Sequence, residues 1–138
     1  MNVKKKRGMF DVGAKPDSYR TARALAVLNI KSSTAVLIRR GKSPKGNIVE
    51  AAKIAATSGA KKTSDLIPYC HPIPIDHIEV QVSIKSKAIE IDVKVKSIWK
   101  TGVEMEALTG ACIGALTIYD MLKPIDDSLL ISSVRLVE

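Results

Sequence analysis

Two stretches of strict alternation constrain this chain more than anything else in it. Across residues 77–84 and 88–98 apolar and polar positions take turns, with Ile89, Ile91, Val93 and Val95 set against Glu90, Asp92, Lys94 and Lys96, and only Lys85-Ser86-Lys87 intervenes. Successive side chains on a strand point to opposite faces, so the pattern describes an antiparallel hairpin with one buried and one open face. The apolar face of such a sheet has to be covered by another layer.

The remaining segments supply that layer and extend the sheet. Residues 19–30 place Ala22, Ala24, Ala26, Leu28 and Ile30 on one side and Tyr19, Thr21 and Arg23 on the other, which predicts a strand. Ser33 as N-cap, Arg39 and Arg40 as basic final residues and Gly41 as terminator predict a short helix over residues 34–40. Asn47 is placed to cap a second helix carrying Ile48, Ala51, Ala52 and Ala55 on one side and stopping at Gly59. Prolines at positions 68, 72 and 74 make residues 64–74 a stiff loop that continues neither a helix nor a central strand. Thr101 and Glu104 have capping-box spacing ahead of the longest helix, which Pro124 ends, and residues 128–137 predict a last strand. This order is that of a ferredoxin-like α+β fold with its first crossover doubled: an antiparallel sheet with helices packed on one face and the other face open to subunit contacts.

Composition narrows the class. The chain has 138 residues, 46% of them hydrophobic, which suits one domain over residues 1–138 with residues 1–8 as a flexible basic tail. Lys4-Lys5-Lys6-Arg7 leads into Gly8-Met9-Phe10-Asp11 rather than an apolar run, unlike a signal peptide. With 22 Lys and Arg against 14 Asp and Glu the formal charge is +8, which attracts nucleotides, nucleic acid and acidic membranes alike. Aromatics are 4% of residues and no base-reading motif is present, so no nucleic-acid partner is expected. Residues 111–119, the most apolar stretch, fall short of the roughly 20 a spanning helix needs, so no membrane partner is expected either. Cys70 and Cys112 lack the paired spacing of a structural zinc site and imply a reducing, cytoplasmic setting.

Several residues could carry chemistry, and each has a plainer role. His71, in the proline-stiffened loop, suits a proton shuttle or a substrate-orienting group, or equally a hydrogen-bonded structural histidine; His77 begins a strand and reads as structural or exposed. A zinc site from Cys70, His71, His77 and Cys112 is disfavoured, because adjacent side chains on extended backbone diverge. The loop Gly41-Lys42-Ser43-Pro44-Lys45-Gly46 is no Walker motif, since Asn47-Ile48 replaces Lys-Ser/Thr, yet its lysines precede a helix N-terminus and suit phosphate, or simply a solvated turn. Asp120 and Lys123 share a helix face and suit either acid–base work or a surface ion pair. Glu104 and Glu106 gain from the helix dipole whether or not they bind anything. Glu106 and Asp120 are separated by 120 − 106 = 14 positions, about 21 Å along a helix and within roughly 40° of one face. They cannot grip one reacting bond in one subunit, so joint function implies a site between subunits or a very long substrate.

The strings Asp65-Leu66-Ile67-Pro68-Tyr69-Cys70-His71-Pro72, Thr101-Gly102-Val103-Glu104-Met105-Glu106-Ala107-Leu108-Thr109 and Leu116-Thr117-Ile118-Tyr119-Asp120-Met121 closely resemble the molybdenum cofactor biosynthesis protein C family, MoaC. The likeness includes Phe10-Asp11-Val12 with Lys15, Lys45-Gly46, Lys61 and Val134-Arg135-Leu136, although Tyr69 stands where leucine is more usual. It implies a lyase that rearranges 3′,8-cyclo-7,8-dihydro-GTP to cyclic pyranopterin monophosphate and releases pyrophosphate. It implies Asp120 and Lys123 as the acid–base pair and Lys45 as a cation that protonates or stabilises developing negative charge. It implies that Tyr69, Cys70 and His71 line the substrate pocket, that Glu104, Met105 and Glu106 contact the purine-derived base, and that Lys61, Arg20 and Arg23 meet the triphosphate. No metal site and no cofactor are implied beyond magnesium that can accompany the triphosphate. The resemblance also implies a homohexamer, a trimer of dimers with active sites between subunits. The competing classes are a nucleic-acid-binding module, suggested by the charge, and a purely structural oligomer that binds no small ligand.

Overall fold

The computed structural model describes residues 7–138. Its elements run β1 (Ser18–Asn29), α1 (Ser32–Arg39), α2 (Ile48–Lys61), α3 (Thr63–Leu66), β2 (His77–Ile84), β3 (Ala88–Trp99), α4 (Glu104–Leu122) and β4 (Leu130–Leu136). The strands form one antiparallel sheet in the order β2-β3-β1-β4, and the α+β class follows from the helices packed against it. The hairpin read from alternation is β2–β3, with His77 opposite Lys96 and Ile84 opposite Ile89.

Pairing of β1 with β3 sets small against branched: Ala22 faces Val95, Ala24 faces Val93, Ala26 faces Ile91 and Leu28 faces Ile89. All eight are buried on the helix side. The alanines leave room for α4, which lies over β1 and β3 and meets them with Ala107, Ala111, Ala115 and Ile118. Small residues also bring α2 against α4, since a Cβ on Gly110 would stand 3.0 Å from the Ala56 carbonyl oxygen. By length and composition α4 could cross a membrane, and it is longer than the apolar stretch at 111–119; more than half of it is buried within the fold. Burial of each branched side chain contributes about 1.5–3 kcal/mol, so this layer is where the fold is held.

Several local expectations are corrected. Ser33 is not the cap of α1: the N-cap is Lys31, with no side-chain cap bond of its own, and Asp126 from the far end of the chain accepts its N–H at 2.9 Å. Asn47 does cap α2, its Oδ1 accepting from Val49 and Glu50. Gly59 does not end α2, which continues to Lys61; its missing side chain serves packing instead, because a Cβ there would lie 2.9 Å from Ile113 Cβ. We expect Gly59→Ala to destabilise the fold by up to about 2 kcal/mol by chemical denaturation, a branched-side-chain clash of about 1–3 kcal/mol offset by about 1 kcal/mol of helix propensity.

The stiff loop begins later than expected, because Thr63–Leu66 forms a turn of helix before Pro68, whose ring disfavours helical backbone only from Ile67 onward. The Thr101–Glu104 capping box does not form: Val103 is the N-cap of α4 and Glu104 its first residue, two positions out of box register. Residues 1–6 of the proposed basic tail lie outside the described residues, whereas Gly8, at φ 80°, packs on Tyr69, whose Cε1 would be 3.6 Å from a Cβ.

Candidate active site

The first turn of α4 and the proline loop enclose one cavity of about 360 Å³. Tyr69, Cys70 and His71 line one side, and Glu104, Met105 and Glu106 the other. Phe10, Val12 and Lys15 close it from the N-terminal segment. The loop is tied at Cys70, whose N–H donates to the Ile67 carbonyl at 3.1 Å, and at His71, whose Nε2 meets the Phe10 carbonyl at 2.6 Å. A carbonyl only accepts, so Nε2 carries a proton, and in the uncharged tautomer Nδ1 is the acceptor.

Glu106 is 3% exposed. Burial pushes its carboxyl up from the usual range; its own backbone N–H offsets part of this, and the charge of Glu104 adds to the rise. The Cys70 thiol is raised by burial and then by Glu106. Two carboxylates on one wall are matched by a ligand edge with adjacent N–H donors, such as the ring N–H and amino group of a guanine-like base. A carboxyl raised in the folded state adds stability at low pH that is lost as pH climbs through its folded pKa. Glu106→Gln should therefore raise the melting temperature at pH 7 by a few degrees, on the order of 1 kcal/mol, with the difference vanishing below the ordinary carboxylate range. Thermal unfolding at several pH values checks this.

At the other end of α4 a second group assembles. Asp120 lies between two ammonium groups, Lys123 Nζ at 2.8 Å and Lys45 Nζ at 3.3 Å. Asp120 and Lys123 meet because they are three apart on the helix, whereas Lys45 arrives from the loop between α1 and α2. Gly41 and Gly46 bound that loop at φ 69° and 104°, a left-handed backbone that glycine adopts without strain. Lys123 first, then Lys45, holds the Asp120 carboxyl below its usual range, and Asp120 in turn raises Lys123. The side chains are 57%, 57% and 44% exposed, so the pairs add little to stability. Their consequence is chemical: an ionised carboxylate beside poised ammonium donors can accept a proton when an incoming group displaces one partner.

The three residues assigned to the triphosphate are dispersed. Lys61 ends α2 and lines a separate groove with Asp76 and His77. Arg20 and Arg23, an odd number apart on β1, point to opposite faces of the sheet. Arg20 Nη2 donates to the Lys100 carbonyl at 3.2 Å, and its Nε is buried with no partner among the described residues. Arg23 is on the open face with Asp92 Oδ1 at 2.9 Å from Nε and Glu138 Oε1 at 2.9 Å from Nη1. Lys15 was given no role by spacing or periodicity, yet it is the one lysine or arginine of the described cavity wall. Only its place in the Phe10-Asp11-Val12 segment pointed to it, and no local pattern reports that this segment folds back over His71.

The arrangement is thus two groups on one helix, a cavity at its start and a charged triad near its end, about 21 Å apart at 1.5 Å per residue. Comparison with known proteins identifies relatives of this chain. The cyclic pyranopterin monophosphate synthase of Aquifex aeolicus (strain VF5) is 43% identical over 128 residues, 93% of this chain and 50% of that protein. The chain therefore spans half the length of that relative. The synthase of the same name from Thermomicrobium roseum is 40% identical over 94% of this chain and 80% of its own length. A probable cyclic pyranopterin monophosphate synthase of Pyrococcus furiosus is 47% identical over 86% of this chain and 76% of its own. Residues 9–138 match the MoaC family throughout, and the chain belongs to that family.

Proposed function

We propose that the chain carries out its reaction, the synthesis of cyclic pyranopterin monophosphate for the molybdenum cofactor, by bringing opposite ends of α4 from two subunits around one 3′,8-cyclo-7,8-dihydro-GTP. The observation that carries this is the separation just described: the binding cavity and the proton-transfer group are each assembled within a chain, yet about 21 Å apart on one helix. A substrate of nucleotide size meets both only if a neighbouring subunit supplies one of them. A homohexamer built as a trimer of dimers provides such junctions, in a cytoplasmic setting that keeps the free thiols of Cys70 and Cys112 reduced.

In this arrangement Glu104 and Glu106 accept the paired N–H donors of the base, with Tyr69, Cys70, Met105 and the Nδ1 of His71 fixing its position. Lys15, in the cavity wall, suits a phosphate directly, whereas Lys61 in its separate groove and the buried Nε of Arg20 reach one only if a neighbouring subunit or a side-chain rearrangement brings it to them. Arg23 reaches a phosphate only from the open sheet face and after giving up Asp92 or Glu138. Closing the cyclic monophosphate forms a bond from a sugar oxygen to the α-phosphorus and breaks the α–β phosphoanhydride, so pyrophosphate leaves. Asp120 takes the hydroxyl proton, Lys123 gives a proton to the departing pyrophosphate oxygen, and Lys45 stabilises the developing negative charge.

Incubation with the cyclised GTP intermediate tests the reading, with the pterin product and pyrophosphate measured together. Equimolar amounts of both are expected. A strictly monomeric protein with full turnover would overturn the interface arrangement.

A further inference from the structure

The start of α1 and the turn after α4 meet at one buried carboxylate outside the Lys45–Asp120–Lys123 group. Asp126, in the turn after α4, is 3% exposed. Its Oδ2 accepts the Lys31 N–H at 2.9 Å and the Thr34 hydroxyl at 2.7 Å. Its Oδ1 accepts the N–H and the hydroxyl of Ser128 at 2.8 and 2.7 Å. Its own N–H returns to the Leu122 carbonyl at 3.0 Å, closing the turn that follows Lys123.

The other holds on α1 are few: it lacks a side-chain cap, only Thr34 and Ala35 are buried among its residues, Ile38 packs at the edge of the core, and Arg39 Nη2 donates to the Ile84 carbonyl at 3.2 Å from an exposed position. The pair Lys31–Asp127 is exposed, so water and salt weaken it. The Lys45 loop hangs from the last turn of α1, Gly41 N–H on the Ile38 carbonyl at 3.0 Å and Lys42 N–H on the Leu37 carbonyl at 2.9 Å. A displacement of α1 is therefore passed to Lys45.

We infer that Asp126 is a positioning residue for the proton-transfer group: by docking the start of α1 on the turn after α4, it sets the distance between Lys45 and the Asp120–Lys123 pair. The inference rests on reading those three residues as that group. Burial raises the Asp126 carboxyl, but the Lys31 N–H, the Ser128 and Thr34 hydroxyls and the Ser128 N–H outweigh it and hold it well below the carboxylate range. The clamp thus remains ionised at every working pH, and a carboxylate at the start of α1 also complements the helix dipole. With both carboxylate oxygens already engaged by Lys31, Thr34 and Ser128, Asp126 acts through these contacts rather than on the substrate.

The test uses the full-length oligomer, with Asp126→Asn, Thr34→Val and a core control, Ile89→Val. Asp126→Asn keeps the shape but turns one acceptor toward donors as an amide. Steady-state kinetics should show kcat lower by about 10²-fold, as for a misplacement of about 1 Å, with KM within roughly threefold of the parent. The Asp120 carboxyl, followed by carbon NMR, should titrate at higher pH than in the parent, because it keeps Lys123 and loses Lys45. Thr34→Val removes one donor and should show both changes in miniature, which decides the matter if Asp126→Asn does not fold. Ile89→Val should lower thermal stability and leave the Asp120 titration in place. An Asp126→Asn or Thr34→Val protein of lowered melting temperature but unchanged Asp120 titration overturns the inference, whatever its kcat. If Asp120→Ala retains turnover, the reading of the proton-transfer group fails, and the Asp120 titration still decides whether Asp126 positions it.

Discussion

Asp120→Ala is expected to lower formation of pterin and pyrophosphate by about 10²–10⁴-fold, the range in which a positioned acid or base contributes. Lys123→Ala and Lys45→Ala should fall in the same range, with Asp120→Ala the most severe because that carboxylate pairs with both ammonium groups, at 2.8 and 3.3 Å. The fold should survive each change. All three side chains are substantially exposed, and exposed ion pairs contribute about 0–1 kcal/mol, so circular dichroism and sedimentation should match the parent. A drop in activity with the assembly intact separates loss of proton transfer from loss of structure. Near-normal turnover in all three variants would remove these residues from the chemistry.

The second large effect is a recovery. His71→Ala, in the cavity, and Asp120→Ala, at the far end of α4, should each be nearly inactive alone. Unfolded together and refolded as mixed oligomers, they should regain about a quarter of parental activity. The figure follows from a two-fold junction: half of randomly formed pairs are mixed, and each mixed pair has one site whose halves are both intact. Refolding either variant with itself should restore nothing. If the mixture stays inactive while mass spectrometry shows mixed particles, the two groups do not share a substrate across subunits. This outcome is independent of how the protons are ordered.

Legibility varied with the range of the interaction. Alternation in residues 88–98 reports burial directly, and β3 buries Ile89, Ile91, Val93 and Val95. The Asn47 cap was readable because its partners, Val49 and Glu50, are two and three residues away. The α1 cap was not, because its acceptor, Asp126, is 95 residues distant and Ser33 offered a plausible local substitute. Gly59 failed for a related reason: a terminator and a close helix contact call for the same residue, and only the position of Ile113 tells them apart. The Thr101–Glu104 spacing was sound as a pattern and two residues out of register as a structure.

The candidate site divides along the same line. Residues adjacent in the chain, Tyr69 with His71 and Glu104 with Glu106, were bound to share a location once their loop and helix were recognised, and the helical rise placed Asp120 about 21 Å from them. What needed three dimensions was everything set by distant segments meeting: Lys45 reaching Asp120 across 75 positions, the Phe10 carbonyl choosing the tautomer of His71, Lys15 completing the cavity, and Arg23 turning away from Arg20 to pair with Asp92 and Glu138. Short-range order is written in spacing because backbone geometry repeats. Long-range contact depends on how whole layers pack, and no local period encodes that.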